Sequence, residues 1–153
     1  MKSKLKGMKL LESILICELT GVIGSIFTIS SVKTWYVTNL VKPSINPPAW
    51  LFGPVWTILF LLMGVALYLV WQRKKISKWF WIQLLLNILW SVLFFGLKRP
   101  DLALVEIVVL WAAIAKTIYD FKKVEENAAW LLIPYILWVS FAAFLNLTIV
   151  RLN

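Results

Sequence analysis

Apolar residues in this chain run in long blocks separated by short charged clusters. The uncharged stretches 49–72, 79–97 and 128–150 are each long enough to cross the hydrocarbon core of a bilayer as a helix, which takes about 20 residues. Residues 102–119 form a fourth block, holding Glu106 and Lys116, and residues 10–32 a fifth, holding Glu12 and Glu18. The pattern predicts an all-α polytopic membrane protein, five transmembrane helices in a single bundle that forms one domain over residues 1–153. Most connections are short, which predicts antiparallel neighbours. The exception, Val32 to Pro48, carries Pro43, Pro47 and Pro48. Proline excludes a continuous helix and stiffens the chain, so this long first loop reads as a lid. Asn46, ahead of Pro47 and Pro48, suits the cap of the second helix.

The first block opens with Lys2, Lys4, Lys6 and Lys9, as a signal peptide would. Glu18 interrupts its apolar run and Thr28-Ile29-Ser30 makes a poor cleavage site, so the block reads as a retained helix. Composition agrees with a lipid environment: 61% of residues are hydrophobic, 15% are charged and mean hydropathy is +0.85. A surface facing water would need more polar residues. The net charge of +9 would suggest nucleic acid on a soluble protein. Here the basic residues lie between apolar blocks, where they set topology, and no nucleic-acid partner is expected. With Lys116 included, eleven basic residues fall on the side of the N-terminus and five on the other: Lys33, Lys42, Lys98, Arg99 and Arg151. That bias predicts the N-terminus inside and the C-terminus outside. The lack of an evident transit segment points to a bacterial plasma membrane. With Cys17 the only cysteine and no histidine, no internal disulfide, zinc site or His-ligated haem can be assembled, and no metal is expected.

There are ten tryptophans. Trp35, Trp50, Trp71, Trp79, Trp81 and Trp130 fall at span ends, as an interfacial aromatic belt requires. Trp56, Trp90, Trp111 and Trp138 lie well inside their spans, where an indole N–H needs a partner or a cavity. Helical spacing sets Phe52, Trp56, Phe60 and Met63 on one face of the second span. Asn87, Trp90, Ser91 and Phe94 share a face of the third, and Tyr135, Trp138, Ala142 and Asn146 a face of the fifth. Flat aromatics mixed with amides, hydroxyls and small residues suit faces turned inward around a cavity. Helix packing with polar contacts would give the same stripes, and the residues alone leave both readings open.

Two acids lie within the spans. Glu18 has Thr20, Gly21 and Ser25 nearby, and Glu106 is about one turn from Asp101, so it is expected near water. Lys116 is too far along the helix to pair with Glu106. Gly21 and Ser25 put small residues four apart, which permits close helix approach inside the bundle or at a dimer face. Pro134 is expected to kink the fifth helix just below Trp138.

The stretch Lys42-Pro43-Ser44-Ile45-Asn46-Pro47-Pro48-Ala49-Trp50-Leu51-Phe52-Gly53-Pro54-Val55-Trp56 resembles the signature of the TspO/MBR family, the tryptophan-rich sensory and translocator proteins. Trp35-Tyr36, Leu86-Asn87 with Trp90-Ser91, and Pro134-Tyr135 with Trp138, Phe141-Ala142 and Leu145-Asn146 are similar to further segments of that family, in the same order. The resemblance runs from about Gly21 to the end. It implies a five-helix bundle, often a homodimer, with a pocket beneath the first loop that binds protoporphyrin and related tetrapyrroles. Carried over by motif, the ligand-binding residues are Tyr36, Trp56, Phe60, Asn87, Trp90, Phe94, Trp138 and Ala142. A flat macrocycle stacks well on indole and phenyl faces, and its propionates suit Lys33 or Lys42. The sterol pattern of animal members asks for a tyrosine ahead of a basic residue, which Leu145–Arg151 lacks.

Three functions follow. The first is a tetrapyrrole-binding protein that senses, sequesters or moves its ligand and needs no cofactor of its own. The second is a light-dependent enzyme degrading protoporphyrin, for which the resemblance implies Trp56 and Trp138 as catalytic residues. The third is a small proton-coupled transporter using Glu18. No acid–base pair or nucleophile triad suggests hydrolysis.

Overall fold

The computed structural model of the protein describes residues 2–153, with side chains from residue 6 onward. Its helices are α1 (Lys2–Ser31), α2 (Phe52–Gln72), α3 (Lys78–Ser91), α4 (Pro100–Lys122), α5 (Glu126–Leu131) and α6 (Ile133–Leu152). There is no strand among the described residues. A wider, π-type turn extends α1 over Val32–Tyr36 and another extends α3 over Val92–Gly96, while a 3-10 turn, Ala49–Leu51, leads into α2. With these extensions, five segments are long and apolar enough to span a bilayer: Lys6–Tyr36, Ala49–Gln72, Lys78–Gly96, Pro100–Lys122 and Glu126–Leu152. The last combines α5 and α6.

Three local expectations are corrected. Helix α1 begins well before the block 10–32, because lysine is a good helix former even where it leaves the apolar region, and the wide turn carries the segment past the block's other end. The fifth span is interrupted at Leu132, not just below Trp138. Pro134 cannot donate to the carbonyl of Trp130, so the chain restarts as a new helix with proline in its first turn, where the missing N–H costs nothing. Asn46 does not cap α2. Leu51 holds that cap position and Pro48 that of the preceding 3-10 turn, neither with a side-chain bond, and Asn46 instead accepts from the Tyr36 hydroxyl at 2.7 Å and donates to the Pro47 carbonyl at 3.0 Å.

The helices close into a ring: α1 packs on α2 and α3, α2 on α5, and α4 on α3, α5 and α6. Toward the α5 end the bundle is tightly packed. Met63, Ala66, Leu67, Val70, Phe80, Phe121 and Ala128 are fully buried there, with Phe80 stacked on Phe121 at 5.6 Å between ring centres. A Cβ added at Gly64 would lie 2.5 Å from the Ile14 Cα, so α1 and α2 touch backbone to backbone at this level. At the opposite end the loop 37–48 is tied down by its own groups. The Lys42 ammonium donates to the carbonyls of Tyr36, Val37 and Leu40 at 2.7, 3.2 and 2.9 Å. The Asn153 amide pairs with both backbone groups of Val41, at 3.0 and 2.9 Å.

Candidate functional site

Above the level of Gly64 the helices enclose a cavity of about 460 Å³. Its walls come from α1, α2, α3, α6 and the wide turns that follow α1 and α3. Tyr36, Trp56, Phe60, Asn87, Trp90, Phe94, Trp138 and Ala142 all border it. They come from four separate parts of the chain and meet because each stripe repeats at helical spacing on a face turned inward. The stripes end where the cavity ends: Met63 and Tyr135 are buried in the packed core beyond it.

The aromatic side chains brace one another. Trp56 stacks on Phe60 at 5.6 Å and Trp90 on Phe94 at 4.9 Å, while Phe52 meets Trp138 edge-on at 6.1 Å. Such contacts hold flat faces toward the open space at low entropic cost. Small residues keep that space open. A Cβ at Gly21 would approach the Phe60 ring to 2.7 Å, and one at Gly24 would come within 3.2 Å of the Ser91 Oγ. Gly21 and Gly24 therefore serve close approach within the bundle. Their part in the cavity wall was not foreseen from sequence, where Gly21 with Ser25 left internal packing and a dimer face equally open. Phe95, Leu145 and Ile149 also line the cavity without having been singled out, because plain apolar residues on an inward face look like those facing lipid.

Polar wall residues are held from behind. The Trp90 indole donates to Asn146 Oδ1 at 3.2 Å, and Asn146 Nδ2 donates to the Pro100 carbonyl at 2.8 Å. Asn87 Nδ2 donates to the Tyr135 hydroxyl at 2.9 Å, which donates in turn to Gln83 Oε1 at 2.8 Å. Among the described residues no hydrogen-bond acceptor is found for the indoles of Trp56 and Trp138, both on the wall. Trp111, the other tryptophan deep in its span, faces outward and donates to Ser140 Oγ at 2.8 Å. The two intramembrane acids differ. Glu18 borders the cavity. Glu106 is not near water as expected: it is 7% exposed, on the inward face of α4 with Ala103, Ile107 and Leu110, and both its oxygens are sealed without a partner. Proximity along the chain to Asp101 misled, because the face of a helix decides exposure as much as depth does.

Taken together, the bundle and its hollow define a small helical membrane protein with an internal aromatic site. The family model described as TspO/MBR family matches residues 13–152. The chain is 49% identical over 145 residues to "Tryptophan-rich protein TspO" of Chlorobaculum tepidum, covering 90% of this chain and 91% of that one. It is 44% identical over 151 residues to the protein of the same name from Archaeoglobus fulgidus, covering 95% and 97%. It is also 36% identical over 139 residues to the human "Translocator protein", covering 86% and 82%. The chain belongs to the TspO/MBR family and is an integral membrane protein.

Proposed function

We propose that this protein binds a tetrapyrrole of the protoporphyrin type in the cavity, in the service of porphyrin sensing, sequestration or transport. The observation that carries this reading is the convergence of Trp56, Phe60, Trp90, Phe94 and Trp138 around one hollow of about 460 Å³, a volume suited to a drug-sized or larger flat ligand. A macrocycle gains by stacking on these faces, and the Asn87 amide and the two free indole N–H groups supply fixed polar contacts. Lys42 spends its ammonium on loop carbonyls, which leaves Lys33, on the cavity border, as the cation for a propionate. The loop 37–48 contributes no lining residue, so its action as a lid runs through Tyr36, which borders the cavity and bonds Asn46. On this reading the end of the bundle nearer the loop lies on the outer side of a bacterial plasma membrane, as the basic bias favours, and two copies pair as a homodimer.

The test is titration of protoporphyrin into the detergent-purified protein while tryptophan fluorescence is followed. Saturable quenching is expected, weakened about tenfold in the Trp56→Phe, Trp138→Phe double variant. Absence of saturable binding sinks the reading. Photo-oxidative degradation of the porphyrin is the second reading, favoured by the presence of Trp56 and Trp138 on two helices of one cavity wall. Illumination of the bound complex in air that leaves the porphyrin spectrum intact would remove it.

A further inference from the structure

Two stripes of α1 border the cavity, and they differ in what lies behind them. Gly21, Gly24 and Thr28 form the inner one. The other runs Glu18, Val22, Ser25, Ile29 and Lys33, again at helical spacing. Within it Val22 is 56% and Ile29 71% exposed, more than an enclosed wall residue would be. Helix α2 repeats the arrangement: Phe52, Trp56 and Phe60 point inward, while Gly53 and Thr57 border the cavity and are exposed.

A residue that lines a hollow and is also open to the exterior marks a mouth. Both rims of this mouth lie in the spanning segments Lys6–Tyr36 and Ala49–Gln72, so it faces hydrocarbon. Side-chain contacts bridge the other joints around the cavity. Phe52 meets Trp138 between α2 and α6, and Trp90 bonds Asn146 between α3 and α6. Ser31 Oγ, at the end of α1, donates to the Phe95 carbonyl in the wide turn after α3 at 2.8 Å. The slot itself ends below where Gly21 meets the Phe60 ring.

We propose that the slot between α1 and α2 is a lateral portal, through which a membrane-dissolved ligand passes directly between the bilayer interior and the cavity. The proposal rests on the reading of the cavity as a ligand site. The rim chemistry fits such traffic. Ser25 Oγ donates to the Val22 carbonyl at 2.7 Å and Thr57 Oγ1 to the Gly53 carbonyl at 2.9 Å, so the rim hydroxyls are satisfied by their own helices. A flat apolar body slides past without stripping any of these bonds. Glu18 and Lys33 bracket the α1 rim about 22 Å apart along the axis. The ligand class is therefore a flat amphiphile that partitions into lipid and carries its acidic groups on the edge facing Lys33.

Gly53→Leu and Thr57→Trp narrow the slot. Nothing lies within 4 Å of a Cβ at Gly53, so the added side chain is accommodated without moving the helices. The experiment is stopped-flow quenching of tryptophan fluorescence by protoporphyrin, with the protein in lipid nanodiscs. Association and dissociation rates are expected to fall together, by about tenfold, in both rim variants. Val105→Trp, on the lipid-facing side of α4, leaves both rates unchanged, as does Asn153→Ala, which removes the tie between the loop and the end of α6. Quenching that persists with unaltered rates in the rim variants overturns the portal alone. Rates that rise in Asn153→Ala while the rim variants stay silent overturn it in favour of entry beneath the loop. Absence of quenching in the unaltered protein overturns the ligand reading, and the portal with it.

Discussion

The same two helices, α1 and α2, meet in opposite ways at the two ends of the bundle. Near α5, Gly64 brings their backbones into contact at Ile14, and the surrounding Met63, Leu67 and Phe80 leave no exposed surface. Two turns further on, Gly21 faces a phenyl ring instead of a backbone, and beyond it the helices part around the cavity. A small residue closes the bundle in one place and keeps it open in the other. The difference lies in the partner, since a backbone cannot yield whereas a ring beside empty space can.

The sharpest test of that contrast is one substitution made at both sites. Gly64→Ala drives a Cβ into the Ile14 backbone and is expected to cost about 3 kcal/mol, read as a lowered midpoint of thermal unfolding in detergent. At the boundary between the two regions, Tyr135→Phe leaves Gln83 Oε1 and Asn87 Nδ2 without their partner, for a loss of about 2 kcal/mol in the same measurement. Gly21→Ala is expected to cost only about 1 kcal/mol, because the Phe60 ring swings into the cavity. Its larger effect is on protoporphyrin affinity, which falls about tenfold in the fluorescence titration. If Gly21→Ala destabilises as much as Gly64→Ala, the contrast is wrong. Arg73→Ala removes the surface pair with Glu125 at 3.0 Å and costs no more than about 0.5 kcal/mol in the same measurement, which sets the floor for the series.

The spans were legible because apolar blocks of membrane length leave few other structures open to them. The wall residues of α2, α3 and α6 were legible because helical periodicity put aromatics and amides on common faces. Three features escaped for identifiable reasons. The burial of Glu106 depends on which face of α4 turns inward, and α4 is apolar nearly all round. Asn46 matches a capping pattern, but the Tyr36 hydroxyl competes for its side chain from outside the segment. The break at Leu132 follows from Pro134, yet its position is set by where the chain can regain helical bonds, two residues earlier.

The wide turns Val32–Tyr36 and Val92–Gly96 give the roof of the cavity a vernier. An α-helical residue occupies about 100° of arc, and a turn closed one residue later shifts the phase of all that follows it. Tyr36 and Phe94 both sit within these out-of-step turns and both point inward, and Ser31, just ahead of the first, is fastened to Phe95 in the second. Straightening either turn into an ordinary helix of the same residues would rotate its aromatic away from the hollow. The orientation of the roof thus rests on a local irregularity, one that neither hydropathy nor any side chain taken singly would reveal.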